Sequence, residues 1–99
     1  MITCVIEYDI DPFQIQEFTR YAQAWPTIIE RCGGDLTGYY VPHEGATTHG
    51  LALINFPSLA AYEQYRQALR QDPDAQKNIE FSRQTRCIRK ECRSFLRRV

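Results

Sequence analysis

The sequence predicts an α+β domain with a four-stranded antiparallel sheet in the split β-α-β, ferredoxin-like arrangement, its helices on one face. Three observations predict it. Residues 1–10 alternate apolar and polar at period two, the pattern of a half-buried strand. The stretch 32–45, CGGDLTGYYVPHEG, ends a helix, supplies a strand and opens a loop. Taken along the chain, the periodicities order the elements as β-α-β-β-α-(α)-β.

In the first strand Ile2, Cys4, Ile6, Tyr8 and Ile10 share one face, and Thr3, Val5, Glu7 and Asp9 the other. A helix is expected from Asp11-Pro12. Asp11 can accept from free first-turn amides, proline suits the first helical position, and Gln14 completes a capping box. Phe18, Tyr21, Ala22, Trp25, Ile28, Ile29 and Cys32 form its apolar stripe. Pro26 removes the hydrogen bond to the Ala22 carbonyl, so the helix is expected to kink or split near Trp25. Gly33-Gly34 closes it, because glycine reaches the left-handed region without a Cβ penalty.

Residues 35–41 read as the second strand, rich in β-favouring Thr37, Tyr39, Tyr40 and Val41. Tyr39 and Tyr40 face opposite sides of it. Pro42 cannot donate to a ladder and ends it, and 42–49 form a loop. The apolar run 50–56 is expected as a central strand in a hairpin with its predecessor. Ser58 is a good N-cap for a second long helix with Leu59, Tyr62, Tyr65 (or Arg66) and Leu69 inward. Asp72-Pro73 ends that helix and starts a shorter one over 74–83, with Ala75 and Ile79 inward. Residues 87–97 read as an edge strand whose alternation is weak: Ile88, Cys92 and Leu96 share one parity, and Phe95 has the other.

Helices on one face leave the other sheet face bare. That face is expected to carry Val5, Ala52 or Leu53, and a row of tyrosines, and it needs a cover. A second copy laying its sheet on the first supplies one, so a homodimer is expected.

Ninety-nine residues argue for a single domain over 1–99. Twelve basic and twelve acidic side chains cancel, which leaves no overall field to draw the chain onto nucleic acid or anionic lipid. No apolar run is long enough to cross a membrane, and the first residues lack the basic segment of a signal peptide. A cytoplasmic protein with reduced cysteines is the expectation.

Two segments resemble the NIPSNAP family of the dimeric α/β-barrel superfamily. One is WPTIIERCGG running into LTGYYVPHEG (25–34 and 36–45), the other FPSLAAYEQYR (56–66), and RKECRSFL (89–96) also fits. The resemblance implies a homodimer whose two sheets form a dimeric α/β barrel. It implies no agreed reaction and no set of catalytic residues. Relatives in the superfamily include cofactor-free monooxygenases and haem-degrading enzymes, with sites between helices and sheet, an analogy at the level of fold.

Candidate chemistry concentrates in two places. His43 and Glu44 follow the tyrosine strand; histidine titrates near neutral pH and a carboxylate can assist it, so the pair is the candidate catalytic set, against the plainer reading of a solvated loop. Trp25, Tyr40, Tyr8 and Tyr65 are the candidate ligand-binding set: amphipathic aromatics in a cleft can hold a small flat apolar molecule and orient it with hydroxyls. Aromatics at these spacings more often build a core or a dimer interface. No metal is expected, since Cys4 and Cys32 stand alone and Cys87 and Cys92 point to opposite strand faces. No cofactor is expected either. The basic end, from Arg83 to Arg98, reads as a charged edge strand pairing with Glu7, Asp9, Asp11 and Glu17 rather than as a nucleic-acid patch. The alternative to ligand binding is a non-catalytic interaction module working through its dimer surface.

Overall fold

A computed structural model describes residues 1–99. The elements run β1 (Ile2–Ile10), α1 (Ile15–Arg31), β2 (Asp35–Tyr40), β3 (His49–Phe56), α2 (Leu59–Gln71), α3 (Pro73–Thr85) and β4 (Ile88–Arg97). The sheet order is β2-β3-β1-β4, and every neighbouring pair is antiparallel. This is the ferredoxin-like α+β fold, with β3 and β1 as its two central strands. No helix is long and apolar enough to cross a membrane.

The period-two pattern of β1 decides the layering. Cys4, Ile6, Tyr8 and Ile10 are buried under the helices, and Glu7 and Asp9 are exposed on the other face. On β3 the helix face carries Gly50, Ala52, Ile54 and Phe56, all buried. Phe18, Tyr21, Ala22, Trp25, Ile28 and Ile29 of α1 complete that core. α2 adds Tyr65 and Leu69, and α3 adds Ala75 and Asn78.

Two local expectations about α1 are corrected. The helix begins at Ile15, four residues after Asp11. Asp11 instead builds the preceding turn: its carboxylate accepts from Phe13 N at 2.8 Å, and its carbonyl accepts from Gln14 N at 2.9 Å. Gln14 occupies the N-cap and makes no side-chain capping bond. The helix also does not split at Pro26 but continues through it as one element. The apolar stripe is buried on both sides of the proline, at Ala22 and Trp25 before it and Ile28 and Ile29 after, so packing holds both halves on the sheet.

Other boundaries follow the chemistry. Gly33 takes a φ of +104°, and Gly34 N closes onto Ile29 O at 2.9 Å. Ser58 Oγ accepts from Ala61 N at 3.1 Å as the α2 cap, and Asp72 Oδ1 accepts from Asp74 N and Ala75 N as the α3 cap, both at 3.0 Å. Leu59, expected inward, is 58% exposed.

The bare sheet face carries Val5, Leu51, Leu53, Tyr40 and Leu96, with Ala52 on the helix side. It does not carry a row of tyrosines. Tyr40 is there, whereas Tyr8 and Tyr39 lie beneath the helices. A bulge between Asp9 and Ile10 flips the parity of β4, so Glu91, Arg93 and Phe95 share the helix side with Ile88, and Cys92 and Leu96 do not.

Candidate functional site

The core is not filled solid at its centre. A small cavity of about 40 Å³ lies between the sheet and helices α1 and α2. Ile6 and Tyr8 of β1, Tyr39 of β2, Ile54 of β3 and Arg93 of β4 form the sheet side. Tyr21, Trp25 and Ile29 of α1 face Tyr65, Arg66 and Leu69 of α2 across it.

The tyrosines reach it because β3 is small where they cross. Tyr8 stands opposite Gly50, and Tyr39 opposite Ala52. With little side chain between them, the two rings stack at 5.8 Å and 25°, and their hydroxyls hydrogen-bond each other. A Cβ on Gly50 would meet Phe18 Cε2 at 3.0 Å and Ile10 Cδ1 at 3.1 Å, so a larger residue there would require both side chains to shift by a few tenths of an ångström. Tyr21 and Trp25 continue the aromatic wall, edge to face at 5.7 Å.

Two donors at this cavity are buried and unpartnered: Nε1 of Trp25, a residue 6% exposed, and Nε of Arg93. Such a donor costs about 1–3 kcal/mol when left unsatisfied. The other Arg93 nitrogens are engaged. Nη1 donates to the Tyr62 hydroxyl at 3.0 Å and Nη2 to Glu91 at 2.8 Å. Burial works against the Arg93 charge, but the Tyr62 hydroxyl and Glu91 carboxylate outweigh it and hold the guanidinium above the usual arginine range.

The tyrosines are held neutral. Burial pushes Tyr8 and Tyr65 far above the ordinary phenol range, and Tyr39 likewise, with neighbouring Tyr8 and Tyr21 adding to it. Burial pushes Tyr21 up to about 12, partly offset by the nearby Trp25 indole. Every hydroxyl at the cavity therefore keeps its proton at neutral pH.

Of the candidate residues, Trp25, Tyr8 and Tyr65 come together at this cavity. Tyr40 does not: it is 48% exposed on the bare sheet face, its ring folded back over Gly38. The bulge between Leu36 and Gly38 sets which of the two tyrosines turns inward, and that is Tyr39. His43 and Glu44 are exposed in the β2–β3 loop and do not border the cavity. Arg93, Arg66, Tyr39 and Tyr21 are the cavity residues that sequence reasoning missed. The helical stripe already contained Tyr21; nothing in the weak alternation of β4 singled out Arg93.

A larger groove of about 420 Å³ runs between α1 and α3 along Arg20, Thr27, Arg31, Lys77 and Phe81. Two of its three cations are engaged, Arg31 with Asp72 and Asp74 and Arg20 over the Phe81 ring at 5.1 Å, while Lys77 makes no ion pair. No three His, Cys, Asp or Glu side chains stand together as metal ligands. Of the basic C-terminal residues, Arg83 pairs with Glu80 and Arg93 with Glu91, and none pairs with the acids of the first third.

No curated protein matches the chain in sequence. Its fold is similar to that of protein Atu4242 from Agrobacterium tumefaciens, with a TM-score of 0.86 at 18% identity over 100% of this chain and 94% of that one. A NIPSNAP family protein, ATU5224, from the same organism gives 0.84 at 22% identity over 99% and 92%. A putative antibiotic biosynthesis monooxygenase from Nitrosomonas europaea gives 0.70 at 5% identity over 100% and 99%. At such identities these structures share the fold. The sequence profile of NIPSNAP matches residues 4–99, nearly the whole chain, so the protein belongs to the NIPSNAP family.

Proposed function

We propose that the protein is a homodimer that binds a small apolar or aromatic molecule between its helices and its sheet. The observation that carries this reading is the aromatic-walled gap at the meeting of Trp25, Tyr8, Tyr39 and Tyr65, in the middle of an otherwise packed core. About 40 Å³ takes a few non-hydrogen atoms, whereas pockets for larger ligands run to roughly 300 Å³ or more. The gap therefore receives the leading group of a ligand, and a bulky body requires a wall to yield. α2 is that wall: it buries only Tyr65 and Leu69, and both line the gap, while α1 buries six residues.

The bare sheet face supports the dimer. Val5, Leu51, Leu53, Tyr40 and Leu96 form an apolar surface across all four strands, of the kind a second copy would cover. The same surface supports the second reading, an interaction module without catalysis. Fold likeness to a putative monooxygenase agrees with an enzyme but assigns no residue to a chemical step.

Trp25 is the single tryptophan, so its fluorescence reports on this gap alone. Native mass spectrometry of freshly purified protein beside a denatured control, with Trp25 emission followed on removal of any released molecule, tests the reading. A co-purifying molecule whose loss shifts the emission supports it. A protein that carries nothing, and whose Trp25 emission is indifferent to a panel of small aromatics, shifts the weight to the interaction module. Sedimentation at micromolar concentration tests the dimer, and a clean monomer would sink it.

A further inference from the structure

The cavity has a polarity that goes beyond aromatic shape. Its lining contains no aspartate or glutamate, and two of its members, Arg66 and Arg93, are cations. Glu91, bonded to Arg93 Nη2 at 2.8 Å, is the nearby acid and offsets one of the two charges. The unpartnered polar atoms are both donors, Trp25 Nε1 and Arg93 Nε. A third donor follows from counting protons. The Tyr8 and Tyr39 hydroxyls bond each other and the Tyr21 hydroxyl lies within reach of Tyr39, so three hydroxyl protons serve two links and one is spare.

We propose that this cavity recognises a carboxylate on a small flat apolar molecule, received by Trp25 Nε1–H, Arg93 Nε–H and the spare hydroxyl proton of the Tyr8–Tyr39–Tyr21 group. The inference rests on the reading of the cleft as a small-molecule site and names the group that the site grips. A carboxylate is acceptor-only and offers about four lone-pair positions on two oxygens, enough for three donors on residues that line one cavity. Its few heavy atoms match about 40 Å³. A single water accepts at most two hydrogen bonds, so it leaves one of the three donors unpaired and the excess positive charge unanswered. Burial keeps the tyrosines protonated, so they remain donors at neutral pH. Charge-assisted bonds in such a setting are about twice as strong as neutral ones.

The single indole N–H gives one resolved signal in a proton–nitrogen correlation spectrum, and it is the atom in question. Titrating the full-length protein with benzoate and, separately, with its neutral counterpart benzamide tests the inference. Benzoate is expected to move the indole proton downfield and to bind at least about tenfold more tightly than benzamide, the value of one charge-assisted hydrogen bond. Trp25→Phe, which keeps an aromatic ring and removes the donor, is expected to lower benzoate affinity about tenfold by calorimetry and benzamide affinity by clearly less, since a neutral carbonyl accepts more weakly than a carboxylate. Arg93→Lys, which keeps the charge and removes Nε, is expected to lower it similarly; melting curves near the parent's establish that both variants fold. Equal binding of benzoate and benzamide with a shifted indole overturns the carboxylate inference and leaves the cleft reading standing. An indole signal indifferent to both probes, or coupled only to water, overturns both.

Discussion

The Tyr8 and Tyr39 hydroxyls hydrogen-bond across a strand that belongs to neither of them. β3 lies between β1 and β2, and at the two positions under the pair it carries Gly50 and Ala52. Two residues with almost no side chain thus let two large ones close over the sheet, and the cavity is the space above that closure. The sheet-side shape of the site follows from this local exchange of small for large.

The pair is expected to couple in stability. Tyr8→Phe or Tyr39→Phe leaves the ring stack in place and strands one hydroxyl in a largely buried setting, at a cost of about 1–2 kcal/mol. The double variant removes both partners at once and is expected to cost less than the sum, with a coupling of about 1 kcal/mol. Urea unfolding of the four proteins measures it. Strict additivity would mean that the hydroxyls do not interact in solution.

Alkali is expected to unfold the protein through its tyrosines. Four of the six tyrosines, Tyr8, Tyr21, Tyr39 and Tyr65, have raised pKa values because burial disfavours the phenolate. In the unfolded chain each loses its proton near pH 10. The folded state therefore holds more protons above that pH, and stability, fully present below about 10, falls as pH rises. Each such tyrosine contributes a slope of about 1.4 kcal/mol per pH unit up to its folded pKa, which for Tyr21 is about 12. Tyrosinate absorbance followed with circular dichroism checks this: ionisation of the buried set and loss of the fold should coincide. Smooth ionisation of all six before any structural change would contradict the buried environment.

Much of this architecture is legible in the residues. Alternation in 1–10 and the apolar run after Gly50 place the two central strands, and the α1 stripe puts Tyr21 and Trp25 under cover. Ser58 and Asp72 cap the helices they were expected to cap. What could not be read locally is parity after a bulge. Tyr39 and Tyr40 are adjacent and equally aromatic, and only the β2–β3 register, shifted between Leu36 and Gly38, turns Tyr39 inward. The bulge opposite Asp9 and Ile10 does the same for Arg93, whose strand lacks a clean pattern because its neighbours on both faces are polar. Asp11 shows the same limit at a helix end, since an Asx turn and an N-cap use the same side chain in the same short sequence.

Acid is expected to act at a different place. Arg31 at the end of α1 holds Asp72 at the α2–α3 junction, with Nε to Oδ2 at 3.0 Å and Nη2 to Oδ2 at 2.7 Å. The Arg31 bond, then the backbone amide of Ala75, lowers the Asp72 pKa below the usual carboxylate range. The stabilisation is thus present above the unfolded value near pH 4 and is lost as pH falls through the lower folded one. Arg31→Ala is expected to reduce melting temperature at pH 7 and to shrink the difference between pH 7 and pH 3. Asp72→Asn, which keeps an oxygen for the α3 cap, is expected to cost less than Asp72→Ala, which loses the ion pair and the cap together. A thermal-melt series across pH measures both, and equal losses for Asn and Ala would show that the cap contributes nothing.

Glu91 gives the electrostatics of the cavity a test whose sign is opposite to ordinary loss of function. Its carboxylate sits on Arg93 at 2.8 Å, with the two side chains 34% and 27% exposed, and competes with any anion for the same guanidinium. Glu91→Gln keeps a hydrogen-bond acceptor for Nη2 and removes the charge. Arg93 retains its bond to the Tyr62 hydroxyl, which keeps the side chain in place. Benzoate affinity is therefore expected to rise by about two- to fivefold, the range of a partly exposed ion pair, and the gain should shrink in high salt. Benzamide affinity should not change. A fall in benzoate affinity would show that Glu91 positions Arg93 rather than competing with the ligand. An equal rise for both probes would show that the substitution opened the cavity instead of changing its charge.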